Sequence, residues 1–298
     1  MADAQKKTTS RRELARNPRF EQVSPDVGEI DEAAVDEGMN DDPDEMLGML
    51  ADLTAATDPK LRELARRLAG RLFLDISRRG PTRPRGIGKI VEQPYRPDGG
   101  DLDIDASLDA IADGGGVGRR GHVNAERLRV RGWVQPGTAL CLLVDRSGSM
   151  GGKPLAASAV AAAAVAWRAP ADYSVLAFGK DVVAAKSQDA DKASERVVND
   201  VLSLRGFGTT DLAGALIAAS QQLSRSRAGR KVTILLSDCR ATVDGDPVAA
   251  AADLSELVII APAGDDDEAR AFARRVGARL TVVAGPSSVA DAIASVLD

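Results

Sequence analysis

The sequence predicts an α/β fold, a doubly wound and mostly parallel sheet with one antiparallel edge strand, preceded by a disordered tail and a helical, linker-like arm. Three observations carry that prediction. From about residue 132 onward, continuous apolar runs alternate with helix-like segments. These runs lack the polar alternation of a half-exposed sheet, so both faces of the sheet must be covered. Finally, aromatic residues make up only 3% of a chain that is 44% hydrophobic. Such a core is built from Ala, Val, Leu and Ile, which suits close packing of helices on a sheet.

Taken in chain order, residues 1–44 have few apolar side chains and long charge runs, so they are expected to be disordered. The first twenty residues are mainly basic (Lys6, Lys7, Arg11, Arg12, Arg16, Arg19), whereas 21–45 contains no Lys or Arg. Residues 45–131 read as a helical segment and an arm. Leu61, Leu64, Leu68, Leu72 and Ile76 recur at spacings of three and four, which predicts an amphipathic helix after Pro59 with a shorter helix before it. The arginines between 62 and 85 read as a solvated face, or as a dock for an acidic partner or for the chain's own acidic tail. Further on, "DASLDAIA" predicts a short helix capped by Asp105. The Pro, Gly and Arg density around it argues for a linker or an arm lying on another surface, not for a separate core.

Residues 132–298 form the predicted α/β domain. "TALCLLV", "DYSVLAF", "KVTILLS", "ELVIIA" and "RLTVVA" are its strands, and helices are expected at 154–168, 189–202, 212–223, 247–253, 265–276 and 289–297. "DVVAAKS" follows its neighbouring strand too closely for a helical crossover, so it is expected to be the antiparallel edge strand.

Composition excludes several function classes. A net charge of −5 argues against a nucleic-acid binder. Two cysteines, Cys141 and Cys239, exclude a disulfide scaffold and point to a reducing compartment. No apolar stretch reaches membrane-spanning length, and the N-terminus lacks the apolar segment of a secretory signal, so the expected location is the cytoplasm with no membrane contact.

The polar residues that follow the strands carry the chemistry, because in such sheets ligands bind at the carboxyl ends of the strands. After the first strand come Asp145, Ser147 and Ser149; after "KVTILLS" comes Asp238; between them "GFGTTDLAGAL" supplies Thr209, Thr210 and Asp211, the last placed to cap the following helix. Two carboxylates and several hydroxyls, all oxygen, suit a hard cation, Mg²⁺ or Mn²⁺. The neutral hydroxyls leave the ion electrophilic, so an Asp or Glu from a partner protein can complete its coordination. The lone His122 and the two cysteines have no zinc spacing.

Other motifs carry less. A haloacid-dehalogenase type of phosphotransfer wants a second acid two residues after Asp145, where Ser147 stands. "GVGRRG" (116–121) matches a dinucleotide fingerprint but neither follows a strand nor opens a helix, and "RGIGKI" (85–90) lacks the hydroxyl and upstream glycine of a phosphate loop. His122 reads as an exposed linker residue, and Cys141 as strand core. Trp133 and Trp167 read as packing.

"DRSGSM" (145–150), "GTTDL" (208–212) and "LLSD" (235–238) resemble, in order and separation, the three metal-contacting segments of von Willebrand factor A (VWA) domains. The resemblance implies a VWA fold with a metal-ion-dependent adhesion site (MIDAS). In it Ser147, Ser149 and Thr210 would be direct ligands, and Asp145 and Asp238 would act directly or through water. One departure is Cys239, where bacterial members usually have Gly. The lead-in from "YRPDGGDLDIDASLDAIA" to "RLRVRGWVQPGTALCLLV" is similar to that of bacterial cytosolic members, the CoxE-like proteins and the D subunit of magnesium chelatase, which work beside AAA+ ATPases of the MoxR or chelatase type. The function so implied is non-enzymatic: metal-dependent gripping of an acidic residue on a protein partner, the MoxR-type ATPase or its client. Two alternatives stand beside it. One is a subunit of a metal-chelatase or cofactor-insertion complex. The other is a structural or cargo protein addressed to a larger assembly by its N-terminal tail.

Overall fold

In the computed structural model, residues 8–78, 89–94, 101–113, 128–134, 137–146, 151–204, 206 and 208–297 are described. The chain divides into two compact units, Met1–Pro84 with Thr138–Asp298, and Arg85–Gly137.

The first unit begins with helices. α1 (Arg11–Leu14), α2 (Phe20–Val23), α3 (Glu32–Asp41), α4 (Pro43–Leu53) and α5 (Pro59–Ser77) occupy the region before the sheet. α3, α4 and α5 start on side-chain caps from Asp31, Asp42 and Asp58, and Pro43 and Pro59 sit in the first turn, where the missing N–H costs nothing. The expectation of disorder for 1–44 is corrected here for residues 8–44. Four of its apolar residues, Leu14, Phe20, Val23 and Val35, are buried in the same cluster as α4 and α5, and Ile30, Ala34 and Met39 pack against it, whereas Val27 stays exposed. Its charges are spent locally: Glu32 pairs with Arg71 of α5 at 2.8 Å, Asp41 with Arg19, and Glu45 accepts from Asn17 at 2.8 Å. Sparse hydrophobes suffice because a larger apolar surface already waits for them.

The second unit, described by itself, is an antiparallel sheet of β1 (Lys89–Pro94), β2 (Asp101–Leu102) and β3 (Arg129–Val134), in the order β1-β3-β2, with α6 (Ile104–Asp113). This corrects the reading of that stretch as a linker or arm with no separate core; the Pro and Gly around "KIVEQP" and "RVRGWV" hide two short strands. The cap of α6 is Asp103, not Asp105: its Oδ1 accepts from the Ala106 N–H at 3.2 Å, while Oδ2 accepts from Arg131 Nε at 2.6 Å. "GVGRRG" and His122 lie outside the described residues.

The main sheet of the first unit has the order β6-β5-β4-β7-β8-β9. β4 (Thr138–Asp145) lies at its centre, parallel to β5 (Tyr173–Phe178) and β7 (Arg230–Leu236). β8 (Leu257–Pro262) and β9 (Arg279–Val283) continue in parallel, and β6 (Val182–Lys186) is the antiparallel edge that its short connection to β5 requires. The sheet is mixed and flanked by helices on both faces, as expected. Period-two alternation divides each strand between two cores: Leu140, Leu142 and Val144 of β4 join one cluster, and Ala139, Cys141 and Leu143 the other.

On the first face lie α7 (Gly152–Arg168), α8 (Ser194–Leu202) and α12 (Val289–Leu297), the last preceded by a 3₁₀ turn at Pro286–Ser288. On the second lie α9 (Leu212–Ser224), α10 (Pro247–Ala252) and α11 (Asp267–Val276). α4 and α5 pack over α7 and form a further layer. α7 is therefore apolar and buried on all sides, with Ala159 through Val165 at 0% exposure. Its alanines allow that double contact, since a helix with no long side chains accepts neighbours closely on every face. Among the described residues, no helix is long and apolar enough to cross a membrane.

The end of the sheet opposite the candidate site is tied by Arg230, which donates from Nε and Nη2 to Glu256 at 2.9 and 3.0 Å and from Nη1 to the Leu297 carbonyl at 2.6 Å; Arg279 also pairs with Glu256. These bonds hold the Glu256 carboxyl below its usual pKa range despite partial burial.

Two outcomes are expected. Leu50→Ala in α4 costs about 2–5 kcal/mol and shifts one urea transition followed by circular dichroism, because α4 shares its core with the sheet; a separate early transition of the N-terminal helices would contradict a shared core. Glu256→Gln costs about 1 kcal/mol at neutral pH. The Glu256 contribution is present above the unfolded-state pKa and is lost as pH falls through the depressed folded one, so wild type and variant converge in acid-titrated unfolding curves.

Candidate metal centre

Two of the expected ligands, Asp145 and Asp238, stand where parallel strands run out. Asp145 is the last residue of β4, and its neighbour Arg146 donates its backbone N–H to the Phe178 carbonyl at the end of β5, at 2.8 Å. Ser147 and Ser149 lie outside the described residues. Asp238 follows β7 by one residue, and Thr210 precedes α9 and is 1% exposed.

Asp145 and Asp238 line one cavity of about 350 Å³. Its walls come from the start of α7 (Lys153, Pro154), the ends of β7, β8 and β9 (Leu236, Pro262, Val283), and the 286–288 turn (Pro286). Between the two carboxylates stands Ser237, a residue the motif contained but to which no role was given. Its Oγ donates to Asp145 Oδ2 at 2.5 Å and accepts from the Cys239 N–H at 2.9 Å. Ser237 thus fixes one oxygen of Asp145 and shapes the turn that presents Asp238. The turn closes as Asp238 Oδ1 accepts from the Arg240 N–H at 2.9 Å, while Arg240 pairs with Asp265.

Cys239 has φ +65°, in the left-handed region that favours glycine. The departure noted in the sequence thus falls on the one described non-glycine residue with positive φ. Burial and the neighbouring carboxylates Asp238 and Asp145 push its thiol up to about 12, and burial does the same to Cys141. At those values both sulfurs are protonated near neutral pH and are poor nucleophiles.

The threonine loop is pinned through its backbone. Thr210 donates its N–H to Thr242 Oγ1 at 2.7 Å, and its carbonyl accepts from the N–H groups of Thr242 and Val243 at 3.1 and 3.2 Å. Asp211 donates its N–H to the Gly179 carbonyl at 2.8 Å and caps α9 through Oδ1 to the Gly214 N–H at 2.8 Å, as expected for a helix-opening Asp. Gly179 lets two loops approach: a Cβ there would meet the Thr209 carbonyl at 3.3 Å and Arg146 Cγ at 3.4 Å. Arg146 itself is 8% exposed, donates to the Asp181 carbonyl at 3.2 Å, and has its pKa lowered by burial. Thr242, Gly179 and Arg146 had no sequence signal, because their roles come from backbone contacts between loops distant in the chain.

The donor chemistry fits a hard cation. Among the described residues no group of three or more His, Cys, Asp and Glu could hold a metal ion. A site made of two carboxylates completed by hydroxyls needs no such group, and Asp145 and Asp238 with Thr210 are all-oxygen donors.

The family model for "VWA domain containing CoxE-like protein" matches residues 77–295. No curated relative matches the chain. Among solved structures, the chain is similar to proximal thread matrix protein 1 from the mussel byssus with a zinc-occupied MIDAS motif (15% identity, 54% of this chain and 47% of that one, TM-score 0.44). It is also similar to a von Willebrand factor type A protein from Catenulispora acidiphila (16%, 56% and 43%, 0.42) and to the manganese-loaded TRAP protein of Plasmodium vivax (15%, 55% and 74%, 0.42). The match spans about half the length of the mussel protein. With a family model that takes in most of its length, the chain belongs to the CoxE-like family of VWA-domain proteins.

Proposed function

We propose that this protein binds a divalent cation, Mg²⁺ or Mn²⁺, through Asp145, Ser147, Ser149, Thr210 and Asp238, and grips an Asp or Glu of a protein partner there without catalysing a reaction. The observation that carries the reading is the opening of Asp145 and Asp238 onto one cavity at the carboxyl end of the sheet. Thr210 on a backbone-pinned loop and family membership support it. The bound ion would supply a positive centre with a position open to a foreign carboxylate.

The chain's own residues do the rest. Ser237 orients Asp145, and the Asp238–Arg240 turn holds the second carboxylate at the cavity edge. The loops are braced before a partner arrives, so little ordering cost opposes binding. The CoxE-like membership supports the partner class we propose: an AAA+ ATPase of the MoxR type or its client, in the cytoplasm, with the ATPase supplying force and this chain supplying grip.

Affinity purification in Mg²⁺ against EDTA tests the reading. Partner capture is expected in Mg²⁺ and lost in EDTA, and Asp145→Ala and Thr210→Ala lower it at least about tenfold while circular dichroism stays native. Capture that persists unchanged in EDTA overturns the adhesive role.

A further inference from the structure

α7 starts at Gly152, three residues after Ser149, yet the helix has no cap of its own. Its N-cap residue is Gly151, which offers no side-chain acceptor, and Gly152 has φ +53°. The missing acceptor comes from α4, a hundred residues upstream: Asp52 Oδ1 accepts from the Gly152 N–H at 2.6 Å. The approach there is close. A Cβ on Gly48 would meet the Lys153 backbone nitrogen at 3.0 Å, and one on Gly151 would meet Asp52 Oδ1 at 3.1 Å. Glu45 lies 3.5 Å from Lys153 Nζ. Asp52 is largely buried, and that burial raises its pKa. A carboxylate placed there against its solvation preference is held by the helix-start N–H, where the helix dipole favours negative charge.

We propose that Asp52 is a positioning residue of the metal centre, fixing the point at which the loop carrying Ser147 and Ser149 enters α7. The inference rests on the metal-binding reading above. The loop is tethered at both ends. Arg146 is bonded to the end of β5, and Gly152 is bonded to Asp52. The first tether belongs to the sheet, whereas the second comes from the N-terminal helical layer, which makes that layer part of the site. A sister contact provides the control. Asp58 caps α5 by accepting from the Lys60 N–H at 2.8 Å, and so braces the same layer without touching the loop or the cavity wall.

The test is Mn²⁺ affinity of the full chain by electron paramagnetic resonance titration, together with amide hydrogen exchange at Gly152 and urea unfolding in EDTA. Asp52→Ala is expected to weaken Mn²⁺ binding about tenfold and to speed exchange at Gly152. Asp52→Asn keeps the acceptor oxygen and stays near wild type. Asp58→Ala loses stability in EDTA but retains wild-type Mn²⁺ affinity. Should Asp52→Ala fail to fold, Asp52→Glu, which shifts the carboxylate by one methylene, is expected to weaken Mn²⁺ binding severalfold. Wild-type affinity in Asp52→Ala or Asp52→Glu overturns the positioning role, as does an equal loss of affinity in Asp58→Ala. If wild type and Asp145→Ala bind Mn²⁺ equally or not at all, it is the metal reading that falls, and this proposal falls with it.

Discussion

The rest of the main unit depends on the complete burial of the middle of α7, from Ala159 to Val165. A helix of alanines and valines packed on a sheet still needs a second apolar surface for its outer face, and α4 and α5 provide it. Alanine makes the arrangement possible because it brings little side-chain entropy to lose and little bulk to accommodate. The consequence reaches the cavity edge. Once α7 is fixed from both sides, its first turn has one place to stand, and that turn is where the motif loop ends.

The candidate centre shows how a parallel sheet can assemble a polar site without internal strain in its strands. Each strand remains hydrogen-bonded to its last apolar residue and only then releases polar groups. Those groups are used at once: Ser237 on Asp145, Asp238 on its own turn, Asp211 on α9, Thr210 on Thr242. Such mutual satisfaction offsets the cost of withdrawing polar groups from water. The left-handed Cys239 is the residue where the backbone departs from easy geometry, and it stands beside Asp238, where the chain must turn sharply to leave the cavity open.

The strands of the main sheet were legible because burial on both faces writes itself into sequence as unbroken apolar runs, and "DVVAAKS" was legible as an antiparallel edge because its connection is too short for a crossover. α5 was legible from its leucine spacing. The helices between 8 and 44 were not, because Leu14, Phe20, Val23 and Val35 are too few to suggest a core by themselves. Their partner surface lies on α4 and α5, outside the segment itself. The cap of α6 was misplaced by two residues, since Asp103 and Asp105 are equivalent by local propensity. Only the bond to Arg131 on the neighbouring strand separates them.

By itself the sequence determined the doubly wound α/β class, the strand-end positions of Asp145 and Asp238, and the place of Thr210 just before a helix. All of these follow from residue type and local periodicity. The tertiary structure alone decided that α4 caps α7 through Asp52, that Ser237 orients Asp145, and that Thr242 and Gly179 anchor the threonine loop. Each of these is a hydrogen bond between segments far apart in the chain, whose energy depends on distance and direction in space, and no spacing in the sequence encodes either.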